Sequence, residues 1–342
     1  MPQLQQTVAR CRSLVEAATA QALPASEQGG LYRMLRYHLG LAPAPDGTPS
    51  GSGGKRLRGV LCLLACEAVG GEASRAAPAA AALELLHGFT LLHDDIADQD
   101  ETRRGRPTVW RLWGVGQAIT AGDSMYALAN LAMGALAERG VPAATVLRVL
   151  LTLNRATVAV CDGQHLDLDF EGRPEVTAPE YLHMIGLKTA ALFSAAAEIG
   201  AAVGGGGADT VAALQQFGRE LGMAFQIQDD LLGLWGEANV TGKPVGSDLR
   251  RNKRSLPILY ALAAAHPVRA RLAAALAAGV GSDDEAAALA EEMAAAGARS
   301  YCEQMAQQHL DRALGALEAS AGEETARATL AALARDTMQR RG

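Results

Sequence analysis

LLHGFTLLHDDIAD, residues 85–98, is an apolar run with helical spacing that ends in three carboxylates. Asp94 and Asp98 stand four apart and Asp95 and Asp98 three apart, so on a helix they share one face. Like charges so placed destabilise a bare helix. An apolar helix ending this way therefore asks for a cation. A solvated acidic helix end is the plainer alternative, and the rest of the chain must decide between them.

The totals narrow the choice. At 342 residues the length suits two domains or one large one. Hydrophobic residues make up 49% and aromatic residues 4%, so the core is built from Ala, Leu and Val, which favours packed helices. A net charge of −6 gives no global basic character for nucleic acid. The cysteines (Cys11, Cys62, Cys66, Cys161, Cys302) form neither a CxxC site nor a disulfide framework, which suits a reducing cytosol. The N-terminus has no signal-peptide core, and Glu198 interrupts the best candidate for a bilayer span, so the expectation is a soluble, cytoplasmic protein.

Helical periodicity runs through residues 3–22, 26–41, 55–69, then from Pro78 through the opening stretch. Further helices are expected near 111–139, 142–169, 178–202, 209–236, 256–276, 283–296, 298–319 and 322–340. No alternating strand pattern of useful length intervenes. The expectation is an all-α, single-domain bundle of long helices over residues 1–342, with charged loops as functional candidates.

A second acidic doublet lies in FQIQDDLLG (225–233), again at the end of an apolar helical run. Carboxylates facing each other across a bundle are a recurrent metal site. An all-oxygen donor set selects Mg²⁺ before Zn²⁺. Mg²⁺ held by few carboxylates completes its shell with water and phosphate, so the acids point to a phosphorylated ligand. The basic clusters agree. Lys55, Arg56 and Arg58 stand at a helix N-terminus behind two glycines, where backbone N–H groups favour an anion. Arg103 and Arg104 follow the first acids by a short loop, and Lys188, Lys243 and Lys253 flank the second. A bidentate arginine fork suits diphosphate and lysine adds point charge; each cluster alone could be a solvated surface, but the set, paired twice with acids, is hard to assign to chance.

Together GGKRLR (53–58), LLHDDIAD (91–98), ETRRGRPTVW (101–110), AGDSMY (121–126), GQHLDLDFE (163–171), MIGLKTAALFSAAAEIGA (184–201), FQIQDDLLG (225–233) and GKPVGSDLRRNKRSLP (242–257) resemble the trans-isoprenyl diphosphate synthases, the polyprenyl synthetase family. The motifs stand in family order over roughly residues 50 to 260. The resemblance implies an isoprenoid synthase fold around a central cleft. It implies an Mg²⁺-dependent, usually dimeric transferase that condenses an allylic diphosphate with isopentenyl diphosphate. Carried over by residue, Asp94 and Asp98 bind two Mg²⁺ ions bridging the allylic diphosphate, Asp95 supports them, and Asp229 holds a third ion with Asp230 near it. Arg103, Lys188 and Lys253 clamp that diphosphate, with Lys243 close. Lys55, Arg58, His87 and Arg104 match the isopentenyl diphosphate site. Thr189 and Gln226 match groups whose oxygens face the developing carbocation, and Gln164 and Asp167 resemble a supporting shell. His93 receives no direct role, and Cys161 and Trp235 read as structural.

Two features depart from or refine the pattern. The second motif ends in Gly233 where DDxxD would place an acid, removing one outer carboxylate from the third ion. Phe89, five residues before Asp94, with Leu86 beyond it, resembles the floor that stops a growing tail in geranylgeranyl diphosphate synthases. The expected product has twenty carbons, with fifteen or twenty-five as near alternatives. A terpene cyclase would not need Lys55, Arg58 and Arg104, and a non-catalytic partner subunit would not keep all three first-motif acids.

Overall fold

The computed structural model describes residues 2–25, 30–44, 47, 53–173, 175–236 and 245–338. Lys243, and Ser26 and Gln28 at the expected start of the second helix, lie outside them. The chain is all-α, and among the described residues strand is confined to one two-stranded hairpin. It falls into two compact units. The first comprises Met1–Arg155, Ala195–Gln215 and Ser320–Leu330; the second comprises Ala156–Ser194, Gln216–Ala319 and Ala331–Gly342.

The first unit opens with α1 (Pro2–Ala22), α2 (Gly30–His38), α3 (Leu57–Ala68) and α4 (Ala73–Ala97). The last of these carries the opening stretch. It is buried along most of its length, with Leu83, Leu85 and Leu86 fully enclosed. Each such leucine stabilises the fold by about 1.5–3 kcal/mol. Pro78 does not open the helix, as its sequence position suggested. It lies inside α4, five residues past Ala73, where it gives up the N–H that would reach the Ser74 carbonyl. After α4 come the hairpin strands β1 (Thr102–Arg103) and β2 (Arg106–Pro107), then α5 (Val109–Trp113) and α6 (Val115–Gly134). The helix expected over 111–139 thus breaks at Gly114, whose φ is +87°, and ends in a 3₁₀ turn, Ala135–Arg139. Helix α6 runs back along α4, with Gly88 against Met125, Phe89 against Tyr126 and His93 over Gly122.

Helix α7 is Ala143–Gly172, and residues from 156 onward belong to the second unit. There follow α8 (Ala178–Ile185), a π-helical turn (Gly186–Ala190), α9 (Ala191–Gly204) and α10 (Ala208–Trp235). The chain continues through α11 (Ser247–Arg250), α12 (Leu256–Ala263), α13 (Val268–Ala278), α14 (Asp283–Ala295), α15 (Ala298–Ala319) and α16 (Glu324–Met338). The single helix expected over 256–276 is two, because Pro267 cannot continue one and instead precedes the next. Phe170, Tyr181, Ile185, Ile227, Leu256 and Cys302 form one apolar cluster of the second unit. Leu234, Ile258, Leu272 and Met293 centre another, against which Trp235 packs while its Nε1 donates to the Ala290 carbonyl at 3.1 Å.

Among the described residues two helices are long and apolar enough to cross a membrane, Ala143–Gly172 and Ala178–Gly204. The apolar window of the second is 72% buried inside the protein, that of the first 33%.

Candidate active site

In the first unit the acidic doublet splits. Adjacent helical residues face different ways, so Asp95 turns inward, 1% exposed, while Asp94 is half-buried and Asp98 exposed at the helix end. Asp95 Oδ1 accepts from Arg103 Nε at 2.6 Å, and its Oδ2 is buried with no hydrogen-bond donor. Burial pushes the Asp95 carboxyl up to about 6, against the pull of the Arg103 guanidinium.

Arg103 reaches Asp95 because RRG makes a hairpin turn. Thr102 pairs with Pro107 and Arg103 with Arg106, leaving a two-residue loop, Arg104–Gly105, with φ of +54° and +72°. Two successive positive φ angles are what a tight type I′ hairpin requires, which is why glycine follows the arginines. Arg106 stacks over the Tyr37 ring at 3.9 Å, and the Tyr37 hydroxyl donates to the Pro107 carbonyl at 2.7 Å, tying α2 to the hairpin.

The hairpin also meets the GGKRLR turn. Arg104 lies so close to Gly54, itself at φ +88°, that a Cβ there would sit 2.5 Å from Arg104 Nη2. Arg56 turns inward, 5% exposed, donating to the Leu39 carbonyl and pairing with Glu84 at 3.7 Å. It is therefore an anchor of the turn and not a ligand group. Lys55 is exposed and Arg58 half-buried on either side of it. Arg103, Arg104 and Arg106 line a small cavity of about 30 Å³ with His38 and a single carboxylate, Asp95. Burial first, then these arginines, push His38 down to about 3. His87 is held well below the usual histidine value by burial, then Arg58, Arg104 and Arg103. Both imidazoles are neutral beside concentrated positive charge, an environment built for an anion.

In the second unit a cavity of about 430 Å³ gathers Asp167, Lys188, Thr189, Gln226, Asp229, Asp230 and Lys253. The π-helical turn supplies Lys188 and Thr189; such turns concentrate at functional sites. Lys188 Nζ donates to Asp167 Oδ2 at 2.5 Å. Thr189 Oγ1 donates to Gln226 Oε1 at 2.8 Å, and Gln226 Nε2 donates to Asp230 Oδ1 at 3.1 Å. Asp230 Oδ2 accepts from the Tyr181 hydroxyl at 2.6 Å and the Leu256 amide at 3.2 Å. Burial pushes Asp230 up to about 7 despite those donors. Asp229, one residue earlier, is half-buried at the cavity. Both amide atoms of Gln164 are buried without a hydrogen-bond partner, as are Ser255 Oγ and Arg254 Nε on the cavity wall.

Sequence reading passed over three residues. Tyr181 and His38 gave no signal, since each stands in an ordinary helical pattern. Asp248 was visible as an acid inside the basic run GSDLRRNKR. It lines the cavity, and its carboxylate fills the space beside Gly233, where a Cβ would come within 2.3 Å of Asp248 Oδ2. Asp248, fifteen residues beyond Gly233, thus places a carboxylate next to the position where the second motif lacks its last acid.

Among the described residues no three His, Cys, Asp or Glu side chains converge into a ready-made metal cluster. Mg²⁺ needs none, because it binds through one or two carboxylates and the substrate's phosphates. Half-buried Asp229, which lines its cavity with Lys188 and Lys253, fits that mode, and half-buried Asp94 is the sequence neighbour of Asp95 on the smaller cavity.

The polyprenyl synthetase family matches residues 48–293, and the chain belongs to it. A geranylgeranyl diphosphate synthase of Mycobacterium tuberculosis is 42% identical over 315 residues, covering 90% of this chain and 88% of that protein. The crystal structure of a polyprenyl synthetase from Streptomyces coelicolor A3(2) superposes with a TM-score of 0.91 at 36% identity, covering 98% and 99% of the two chains. A geranylgeranyl pyrophosphate synthase from Corynebacterium glutamicum, complexed with isoprenyl diphosphate and magnesium, gives 0.81 at 29%, covering 99% and 98%. The protein is an all-α isoprenoid synthase and a trans-prenyl diphosphate synthase, a transferase acting on an allylic diphosphate and isopentenyl diphosphate. Magnesium dependence is general in the family.

Proposed function

We propose that this synthase makes geranylgeranyl diphosphate, using three Mg²⁺ ions, as a cytoplasmic homodimer in which residues 1–342 act as one isoprenoid synthase domain. The observation that carries the site assignment is the split of each acidic doublet into an outward aspartate and a buried, hydrogen-bonded one. Asp94 and Asp98 are the ligands for two ions, and Asp229 for the third. Asp248 stands in for the acid absent at Gly233. Bound Mg²⁺ would neutralise the diphosphate and stabilise it as a leaving group.

The chain's own groups do the rest. Arg103, Lys188 and Lys253 hold the allylic diphosphate, with Lys243 added from the sequence. As the allylic C–O bond breaks, its electron pair leaves with the diphosphate, and these cations meet the growing charge. Lys55, Arg58, Arg104 and neutral His87 hold isopentenyl diphosphate, whose double bond supplies the pair for the new C–C bond. The product cation then loses a proton to the released diphosphate. Gln226 Oε1 and Thr189 Oγ1, already bonded to each other, present oxygens to the cation. Apolar helix walls keep out the water that would quench it.

Phe89, one side of its ring against His93 at 4.8 Å, is the floor, with Leu86 buried beyond it. Relatives named for geranylgeranyl, farnesyl and geranylfarnesyl diphosphate synthases are 42%, 41% and 40% identical, so the twenty-carbon reading rests on Phe89, with fifteen and twenty-five as alternatives. Phe89→Ala should lengthen the product; an unchanged distribution would remove Phe89 as the floor. The dimer reading rests on Leu147, Leu151 and Val158, which share one face of α7 at 58%, 46% and 62% exposure, and on Leu131 of α6 at 70%. The same face accounts for the low burial of that apolar helix without a membrane, and light scattering in solution tests it. Glu198, which accepts from Thr152 at 3.0 Å and Gln215 at 3.0 Å, marks Ala178–Gly204 as an interior helix. Incubation with labelled isopentenyl diphosphate, each allylic primer and Mg²⁺, with product length read by chromatography, tests the whole reading. No incorporation with any primer would overturn it.

A further inference from the structure

Two polar side chains on the wall of the second unit's cavity are left without partners. Arg254 and Ser255 follow Lys253 in RNKRSLP (251–257) and line that cavity with it. Arg254 is half-buried, and its Nε is enclosed with no hydrogen-bond partner. Asp167, Asp229, Asp230 and Asp248 line the same cavity, yet among the described residues Arg254 pairs with none of them. Other cations here are committed: Lys188 is bonded to Asp167, and Arg250, four residues back in the chain, to Asp283. Leaving a partly buried guanidinium without a counter-charge is unfavourable, and a bound anion relieves it.

Ser255 is buried more deeply, at 4% exposure, and its Oγ has no hydrogen-bond partner. It is the N-cap of α12, where a serine hydroxyl ordinarily accepts from the N–H two or three residues on. The nearer of those positions is Pro257, which has no N–H, and the hydroxyl makes no cap bond to the farther one. The first amide of the helix, that of Leu256, donates instead to Asp230 Oδ2 at 3.2 Å. Asp230 thus caps α12 from α10, and the Ser255 hydroxyl is left to the cavity it lines. An unpaired guanidinium, an unused hydroxyl and the positive end of a helix meet on one wall, a set of donors that lacks only an acceptor.

We infer that Arg254 and Ser255 are further diphosphate ligands, and that the form they hold best is the diphosphate released when the allylic C–O bond breaks. The inference rests on the proposed reading of this cavity as the allylic diphosphate site. On cleavage the bonding pair stays with the oxygen of the leaving group, so the diphosphate gains one negative charge. A fixed guanidinium binds that form more tightly than it binds the ester, which lowers the barrier and not just KM. The allylic cation takes its pair from the isopentenyl double bond, and the proton then shed passes to the same diphosphate. Held by Arg254 and Ser255, the anion stays in the cavity to receive it.

The test uses the full-length protein with Mg²⁺, an allylic primer and labelled isopentenyl diphosphate, and adds inorganic diphosphate as the probe. Arg254→Gln should lower kcat and raise the inhibition constant of inorganic diphosphate, each by about 10–100-fold, the factor a hydrogen bond to a charged group carries. KM for the allylic primer should rise less, and KM for isopentenyl diphosphate should not move. Ser255→Ala should raise the same inhibition constant by about two- to tenfold, as for one neutral donor. Neither change should lower the melting temperature of the ligand-free protein, because neither side chain has a bond there to lose. Arg254→Lys keeps the charge and should recover part of the loss. An active Arg254→Gln enzyme whose inhibition constant matches wild type overturns the inference alone, and so does a lowered melting temperature with unchanged inhibition. An equal rise in the allylic KM and in the inhibition constant, with kcat unchanged, overturns the preference for the released form. If Arg254→Gln does not fold, Ser255→Ala decides by the same constant. A wild-type protein that incorporates nothing with any primer overturns the reading of the cavity, and this inference with it.

Discussion

The two acidic doublets look alike in sequence and are built differently. At the end of α4, Asp95 is held by a cation, Arg103, and keeps one buried oxygen bare. Near the end of α10, Asp230 is held by neutral donors, the Tyr181 hydroxyl, the Gln226 amide and the Leu256 amide, spread over both oxygens. Burial raises both, Asp95 to about 6 and Asp230 to about 7. The lesson is that each DD pair puts one aspartate half-buried at the surface of its helix and one buried as an anchor, and that the anchor is chosen by its neighbours. The first anchor carries its charge into a basic pocket; the second is poised to shed it.

The strongest way to break this comparison is to exchange ligand and anchor roles. Asp94→Ala and Asp229→Ala should each lower kcat by at least about 10²–10³-fold, the range for losing one strong stabiliser of developing charge. Unfolding midpoints should stay near wild type, because both side chains are only half-buried. A labelled-incorporation assay beside a denaturant melt separates the two effects. An outward aspartate whose loss cost stability and spared turnover would invert the assignment.

A smaller effect is expected at Gly233. Gly233→Asp rebuilds the missing acid but drives its Cβ into Asp248 Oδ2. Activity should fall by about 10–100-fold, as for lost second-shell partners of a metal, with a higher Mg²⁺ requirement. If the variant instead outperforms wild type, Asp248 is not the substitute.

The smallest effect concerns the second anchor. The folded-state value of Asp230 lies above its ordinary 3.8, so the folded protein holds a proton that the unfolded chain has lost. Stability from this group is therefore present below about pH 4 and is lost as pH rises toward 7. Asp230→Asn mimics the protonated form and should flatten that slope in EDTA-treated protein. Asp230→Ala, leaving three donors unmet, should cost about 1–3 kcal/mol across the range. Parallel urea titrations at pH 5 and pH 7.5 read both, and equal slopes for wild type and Asp230→Asn would discard the anchor argument.

Much of this was legible before any coordinates. Helix existence followed from periodicity, and the doublets followed from spacing, because both are local signals. The breaks at Gly114 and Pro267 were legible in principle, since each residue is a known interrupter. The π-helical turn under Lys188 and Thr189 was not, because its one extra residue leaves no mark in an apolar run. Arg56 and Arg58 share a cluster in sequence, and only the left-handed backbone of Arg56 sends it inward to Glu84. The approach of Asp248 to Gly233 was hidden for a different reason. It brings together residues fifteen apart in sequence that stand on two different helices, and helix spacing rules do not reach across elements.

The meeting of Gly54 and Arg104 binds two segments that lie fifty residues apart into one element of motion. With no side chain at Gly54 the guanidinium occupies the turn's own volume, so neither segment can loosen while the other stays ordered. The amides of residues 53–57 and 102–107 should then exchange with solvent deuterium at a common opening rate. Within the first unit, local breathing would then move Lys55 and Arg104, two of the groups proposed to hold isopentenyl diphosphate, together and not one after the other.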